Sequence, residues 1–153
     1  NDKRGFLREV FQKYIVKKNL VFSVTSSSKK NVLRGLHLQT KKSQDKYVTV
    51  LKGKILDVVV DLRKKSKTYG KHFKIILDEN NSKFLFIPKG FAHGFLGLSK
   101  ENIVLYSCTN YRHAKSEKAI LWNDKDLKIK WGINKPIISK KDRSAQKFKD
   151  IKF

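Results

Sequence analysis

Ile87-Pro88-Lys89-Gly90-Phe91-Ala92-His93-Gly94-Phe95 is the stretch on which the fold turns. Phe84–Ile87 before it is a short apolar run of β character, stopped by Pro88 and Gly90. Ala92–Leu98 opens another such run, and Ile103–Thr109 a further one. Upstream, residues 72–77 give a strand that ends in the turn-forming Asp78-Glu79-Asn80-Asn81. Residues 46–61 read as two β runs broken at Lys52-Gly53, and a glycine between β-branched runs predicts a hairpin there. The N-terminal third holds a strand near Leu20–Ser26 and a weakly helical stretch over Phe6–Tyr14. Asp142–Lys149 predicts a short helix. Many short strands at regular spacing, with no repeat and no linker, predict an all-β sandwich or barrel with short peripheral helices. The 153 residues fit one domain over 1–153 and suffice to bury a core.

A second segment, Arg34-Gly35-Leu36-His37-Leu38-Gln39, stands upstream. Pro-x-Gly-x-x-His after a β run, with Gly-x-His before it, resembles the paired motifs of cupins, which implies a cupin-like jelly-roll barrel. Metal-binding cupins supply His-x-His and a nearby Glu from the first motif and one more His from the second. Here Gln39 stands two places after His37, and the next acids are Asp45 and Asp57. His37 and His93 fall short of the three or four ligands a transition metal generally takes. The expected pocket therefore holds no metal and no cofactor, and its histidines are free for proton transfer.

More of the chain resembles the dTDP-4-dehydrorhamnose 3,5-epimerases. The matching pieces are Asp2-Lys3-Arg4-Gly5-Phe6, the Arg34–Gln39 segment, Lys46, Asp57-Val58-Val59-Val60-Asp61-Leu62-Arg63 and Ile87–Phe95. Leu105-Tyr106, Ser116-Glu117, Trp122-Asn123-Asp124 and Ser139-Lys140-Lys141-Asp142 follow in order. Epimerisation beside a ketone needs a base, a cation or donor for the enolate oxygen, and an acid on the other face. The resemblance implies that His37 is the base, that Asp57 and Asp142 lie near it, that Lys46 holds the enolate, and that Tyr106 is the acid. It implies substrate contacts at Arg4, Glu9, Arg34, Gln39, His93, Glu117 and Lys141, with Arg4 reaching across a subunit boundary. It also implies a dTDP-sugar substrate, a role in dTDP-L-rhamnose-type deoxysugar biosynthesis, and a homodimer in which an N-terminal strand joins the neighbour's sheet. Outside the motif these residues would look ordinary: Tyr106 as core, Lys46 as one lysine among many. His72 and His113 match nothing in the family and read as surface.

One departure stands out. Family members carry a Gln-Asp-Asn-like triplet before their Ser-x-Ser-Lys-Lys stretch. This chain keeps Ser26-Ser27-Ser28-Lys29-Lys30, but the triplet positions hold Phe22-Ser23-Val24. Lost amides and a lost acid change which sugar groups find partners. A related epimerase or ketoisomerase on another nucleotide sugar is the alternative this raises. Ketoisomerases of this fold carry His at the place of Gln39, which argues against that branch.

The formal charge of +23, from 36 Lys and Arg against 13 Asp and Glu, favours anionic partners. A polyanion-binding cupin without catalysis is the second alternative. The lysines are scattered in pairs such as Lys17-Lys18, Lys64-Lys65 and Lys140-Lys141, and no nucleic-acid motif accompanies them, so no nucleic-acid partner is expected. A single cysteine, Cys108, excludes an intrachain disulfide and fits a reducing, cytoplasmic setting. No apolar run approaches the roughly 20 residues of a membrane span, and no secretory leader pattern opens the sequence, so no membrane partner is expected. The sequence contains no Met, so further residues are expected before Asn1.

Overall fold

The computed structural model describes residues 2–81 and 83–152. Among the described residues nine strands carry the fold: β1 Phe22–Lys29, β2 Leu33–Gln39, β3 Lys46–Lys52, β4 Lys54–Asp61, β5 His72–Asp78, β6 Phe84–Ile87, β7 Phe91–Gly97, β8 Glu101–Cys108 and β9 Glu117–Ala119. They form two antiparallel sheets, β1-β8-β3-β6 and β5-β4-β7-β2-β9. This is the jelly-roll, cupin-like barrel expected from the motifs.

Strand periodicity explains the two layers. Alternate side chains of both sheets point inward, where Val48, Val50, Ile55, Val59, Leu77, Ile87, Phe95 and Val104 pack together. The opposite face of the second sheet, with Leu36, Leu38, Val58, Val60 and Ala92, is covered by Leu127, Trp131 and Ile151 of the C-terminal segment. The β4 strand is apolar on both faces because both faces are covered.

The expected hairpin at Gly53 does not form. β3 pairs with β6 and β8, while β4 pairs with β5 and β7, so Gly53 is a corner where the chain changes sheets. Its φ is +81°, and a Cβ there would stand 2.1 Å from the Glu101 carbonyl oxygen. The turn chemistry was read correctly and its topology was not, because both a hairpin and a sheet-to-sheet corner call for glycine. Two further expectations shift. Phe6–Tyr14 is irregular, with helix confined to α1, Lys13–Val16. The C-terminal helix is α2, Lys140–Arg143, because the Ser139 side chain caps it by accepting from the Asp142 amide. His72 and His113 are half-buried rather than free surface, and His113 Nδ1 lies 2.9 Å from Ser116 Oγ. Among the described residues, no helix is long and apolar enough to cross a membrane.

Candidate active site

A pocket of about 630 Å³ opens at one end of the barrel. Its floor depends on an irregularity in β2. In a regular strand Arg34 and His37 would point to opposite faces. Instead the register shifts between them, so that Arg34 pairs with Phe95 and His37 with His93, and both side chains line the pocket. Gly35 makes this possible. Its φ is +117°, and a Cβ would come within 2.5 Å of Gly94 Cα.

His37 Nε2 lies 2.5 Å from Asp142 Oδ1, between groups 105 residues apart in the chain. The Leu33 amide donates to the Ile137 carbonyl at 2.9 Å, which ties the 137–142 segment to β2. The Ser139 cap then fixes α2, and Asp142 is buried under His37. Burial raises the Asp142 pKa, but hydrogen bonds from His37, Ser139 and the Gly35 amide outweigh it and leave the carboxyl below its usual range. With Nε2–H given to Asp142, Nδ1 holds the imidazole lone pair.

Asp57 does not reach His37. It is fully buried and takes His93 Nε2 at 2.9 Å, so the two histidines that are neighbours across β2 and β7 each have their own carboxylate. The His93 ring meets Tyr106 edge-on, with centroids 5.9 Å apart. Tyr106 comes from β8, and its hydroxyl lies 3.4 Å from Ser26 Oγ. Burial pushes its phenol well above the usual range, with Ser26 and Arg34 opposing only in part. It is therefore a neutral donor at physiological pH. Lys46, on β3 opposite Cys108, also faces the pocket and makes no hydrogen bond among the described residues. Desolvation lowers its pKa, resisted by Cys108, Glu117 and Asp57.

The rim is ionic. Glu117 accepts from Lys141 Nζ at 2.5 Å and from Arg112 Nη2 at 3.0 Å. Burial raises its pKa, and these two cations bring it down to about 2. Arg34 donates to Ser28 Oγ at 2.9 Å and to the Ser27 carbonyl at 3.0 Å. Gln39 lines the pocket, but its amide is engaged with the backbone of Lys42 and His113. Two expected contacts lie elsewhere in this chain. Arg4 is exposed and pairs with Asp2, and Glu9 accepts from Gln12 beside a separate cleft at Tyr47 and Phe84.

Sequence reasoning passed over Arg112 and Cys108 as pocket residues, while Phe22 and Val24, singled out at the triplet positions, do line the pocket. Arg112 sits in an irregular loop that carries no periodic signal. Cys108 was accessible: once Tyr106 faces inward, period two puts Cys108 there. Among the described residues, no three of His, Cys, Asp and Glu converge as metal ligands.

A jelly roll whose interior brings together two histidine–carboxylate pairs, a lone ammonium and a protonated phenol belongs with the cupin-type sugar-nucleotide epimerases. The sequence model of the dTDP-4-dehydrorhamnose 3,5-epimerases matches residues 1–150, and the chain belongs to that family, whose named members are isomerases. It is 45% identical over 151 residues to the enzyme of that name from Methanothermobacter thermautotrophicus, covering 94% of this chain and 82% of that one. Its structure is similar to that of the Legionella pneumophila epimerase in complex with dTDP-4-keto-L-rhamnose, with TM-score 0.94, 40% identity and coverage of 99% and 85%. It is also similar to the Bacillus anthracis enzyme with TDP and PPi bound, with TM-score 0.92, 40% identity and coverage of 96% and 88%.

Proposed function

We propose that this chain epimerises a dTDP-linked 4-keto-6-deoxyhexose at C3, C5 or both, in deoxysugar biosynthesis of the dTDP-L-rhamnose type. His37 Nδ1 removes the proton from a carbon beside the C4 ketone. The electron pair moves into a C=C bond, and the ketone oxygen becomes an enolate oxygen facing the Lys46 ammonium. The Tyr106 hydroxyl returns a proton to the opposite face, and the carbonyl re-forms with inverted configuration. Asp142 holds the imidazole in one tautomer and balances the imidazolium. His93, oriented by Asp57, packs against Tyr106 and fixes its ring. Arg34, Lys141 and Arg112 offer positive charge to the diphosphate, Arg through its planar fork.

The observation that carries this reading is the 2.5 Å His37–Asp142 contact in one pocket with Lys46 and Tyr106. Incubating the protein with dTDP-4-keto-6-deoxyglucose and resolving the products by NMR tests it. Inversion at C3 or C5 supports it, and recovery of unchanged substrate rejects it. Inversion at only one of these carbons is the narrower reading, favoured by Phe22 and Val24 in place of the family's polar triplet.

The chain is read as one catalytic domain that works as a homodimer in the cytoplasm. Phe6, Leu7, Phe11 and Tyr14 expose apolar side chains, and among the described residues β6 pairs with β3 on one edge and with no strand on the other. A second copy seated there would bring Arg4 and Glu9 towards the partner's pocket.

A further inference from the structure

Strand β1 points Phe22, Val24 and Ser26 into the barrel, opposite Cys108, Tyr106 and Val104 of β8. Phe22 and Val24 line the pocket, and above Ser26 this wall carries no hydrogen-bonding side chain. Ser23 lies on the other face of the strand, where its hydroxyl meets Ser107 at 2.8 Å. Phe22 is braced by a stack on Tyr111, with centroids 5.7 Å apart and planes 15° from parallel. Val24 remains 48% exposed although it faces a concave site. The facing sheet contributes His37, His93 and Glu117, polar and charged, and on the same sheet as Phe22 the ammonium of Lys46 lies two strands away, beyond Cys108.

We propose that Phe22 and Val24 form the subsite for the C6 methyl group of the keto-sugar and set a preference for the 6-deoxy substrate. The inference rests on the epimerase reading above. A 4-keto-6-deoxyhexose has oxygen on every ring position that bears a substituent except C5, which carries the methyl group. That methyl is its one apolar substituent, and C5 is one of the two carbons that invert. Val24 is the direct cross-strand neighbour of Tyr106, so a C5 reached by the Tyr106 hydroxyl holds its methyl beside Val24. Covering Val24 and Phe22 with a methyl removes apolar surface from water, whereas a C6 hydroxyl pressed against them loses its water and gains no partner. An apolar wall discriminates against an added hydroxyl by about 10- to 100-fold.

The test measures kcat/KM for dTDP-4-keto-6-deoxyglucose and for its counterpart hydroxylated at C6. It uses the wild type, Val24→Thr, Phe22→Gln and, as an outer-face control, Ser23→Ala. Val24→Thr keeps the β-branched shape and adds only a hydroxyl, so it reports specificity without rebuilding the strand. The wild type is expected to favour the 6-deoxy sugar by about tenfold or more. Val24→Thr and Phe22→Gln should each cut that ratio severalfold, with Ser23→Ala unchanged. A wild type active on both sugars at equal efficiency, or a ratio unmoved in Val24→Thr and Phe22→Gln, overturns the subsite alone. A wild type inert on both overturns the epimerase reading and the subsite with it.

Discussion

Asp142 Oδ1 stands 2.5 Å from His37 Nε2, and the residue's backbone is held from behind by the Ser139 cap of α2, whose hydroxyl accepts from the Asp142 amide. One short helix thus sets both the tautomer and the charge balance of the proposed base. Asp142→Asn keeps the shape but offers the imidazole an amide in place of an anion. We expect kcat to fall by about 10²- to 10⁴-fold with KM changed only a few-fold. Steady-state kinetics check this, and a loss confined to KM would show that Asp142 serves binding instead.

Lys46 illustrates a conflict between stability and chemistry. Its pKa is lowered by desolvation, so the folded chain holds the proton less tightly than the unfolded chain does. The protonated form therefore costs stability at neutral pH, and that cost disappears only as pH rises past the unfolded value of about 10.4. Lys46→Met should raise Tm near pH 7 while lowering kcat by roughly 10²- to 10³-fold through loss of the enolate partner. Thermal melts and turnover measured on one preparation test both signs.

Glu117 gives the opposite pH dependence. Its carboxyl is held at about 2 by Arg112 and Lys141. Its contribution is fully present above the unfolded value of about 4.3 and is lost as pH falls from there to about 2. Calorimetry across that window should show a steeper decline of Tm for the wild type than for Glu117→Gln. Both cations are largely exposed, so added salt should shrink the difference.

Gly35→Ala strikes the bulge that turns Arg34 and His37 to one face. A Cβ would meet Gly94 Cα at 2.5 Å on a backbone with φ of +117°. Destabilisation of more than about 2 kcal/mol is expected, measured by urea unfolding. A variant as stable as the wild type would mean that β2 can straighten without cost.

The strands β3, β6, β7 and β8 were legible as short apolar runs bounded by Gly, Pro or turn residues, and Tyr106 and Lys46 share the inward row set by Val48, Val104 and Cys108. β2 was not legible as a strand, since Gly35 and the register shift break the period that would have announced it. The corner at Gly53 shows the same limit in topology, because local turn chemistry does not say which sheet the next strand joins. The site separates along similar lines. His37, His93 and Tyr106 lie in motifs or periodic strands. The His37–Asp142 pairing joins residues 105 apart, and the choice of Asp142 over Asp57 for His37 follows from the path of the 137–142 segment over β2. Nothing local at Asp57 or Asp142 encodes that choice.

The central claim is two-sided proton transfer, with His37 on one face and Tyr106 on the other. It is tested most directly by running the reaction in deuterated buffer with the wild type, His37→Ala and Tyr106→Phe, and following C3 and C5 by NMR. The wild type is expected to give inverted product carrying deuterium, and His37→Ala neither exchange nor inversion. Tyr106→Phe is expected to exchange the substrate proton with retention while inversion falls at least 100-fold. Inversion by Tyr106→Phe at the wild-type rate, or exchange that survives in His37→Ala, would contradict it.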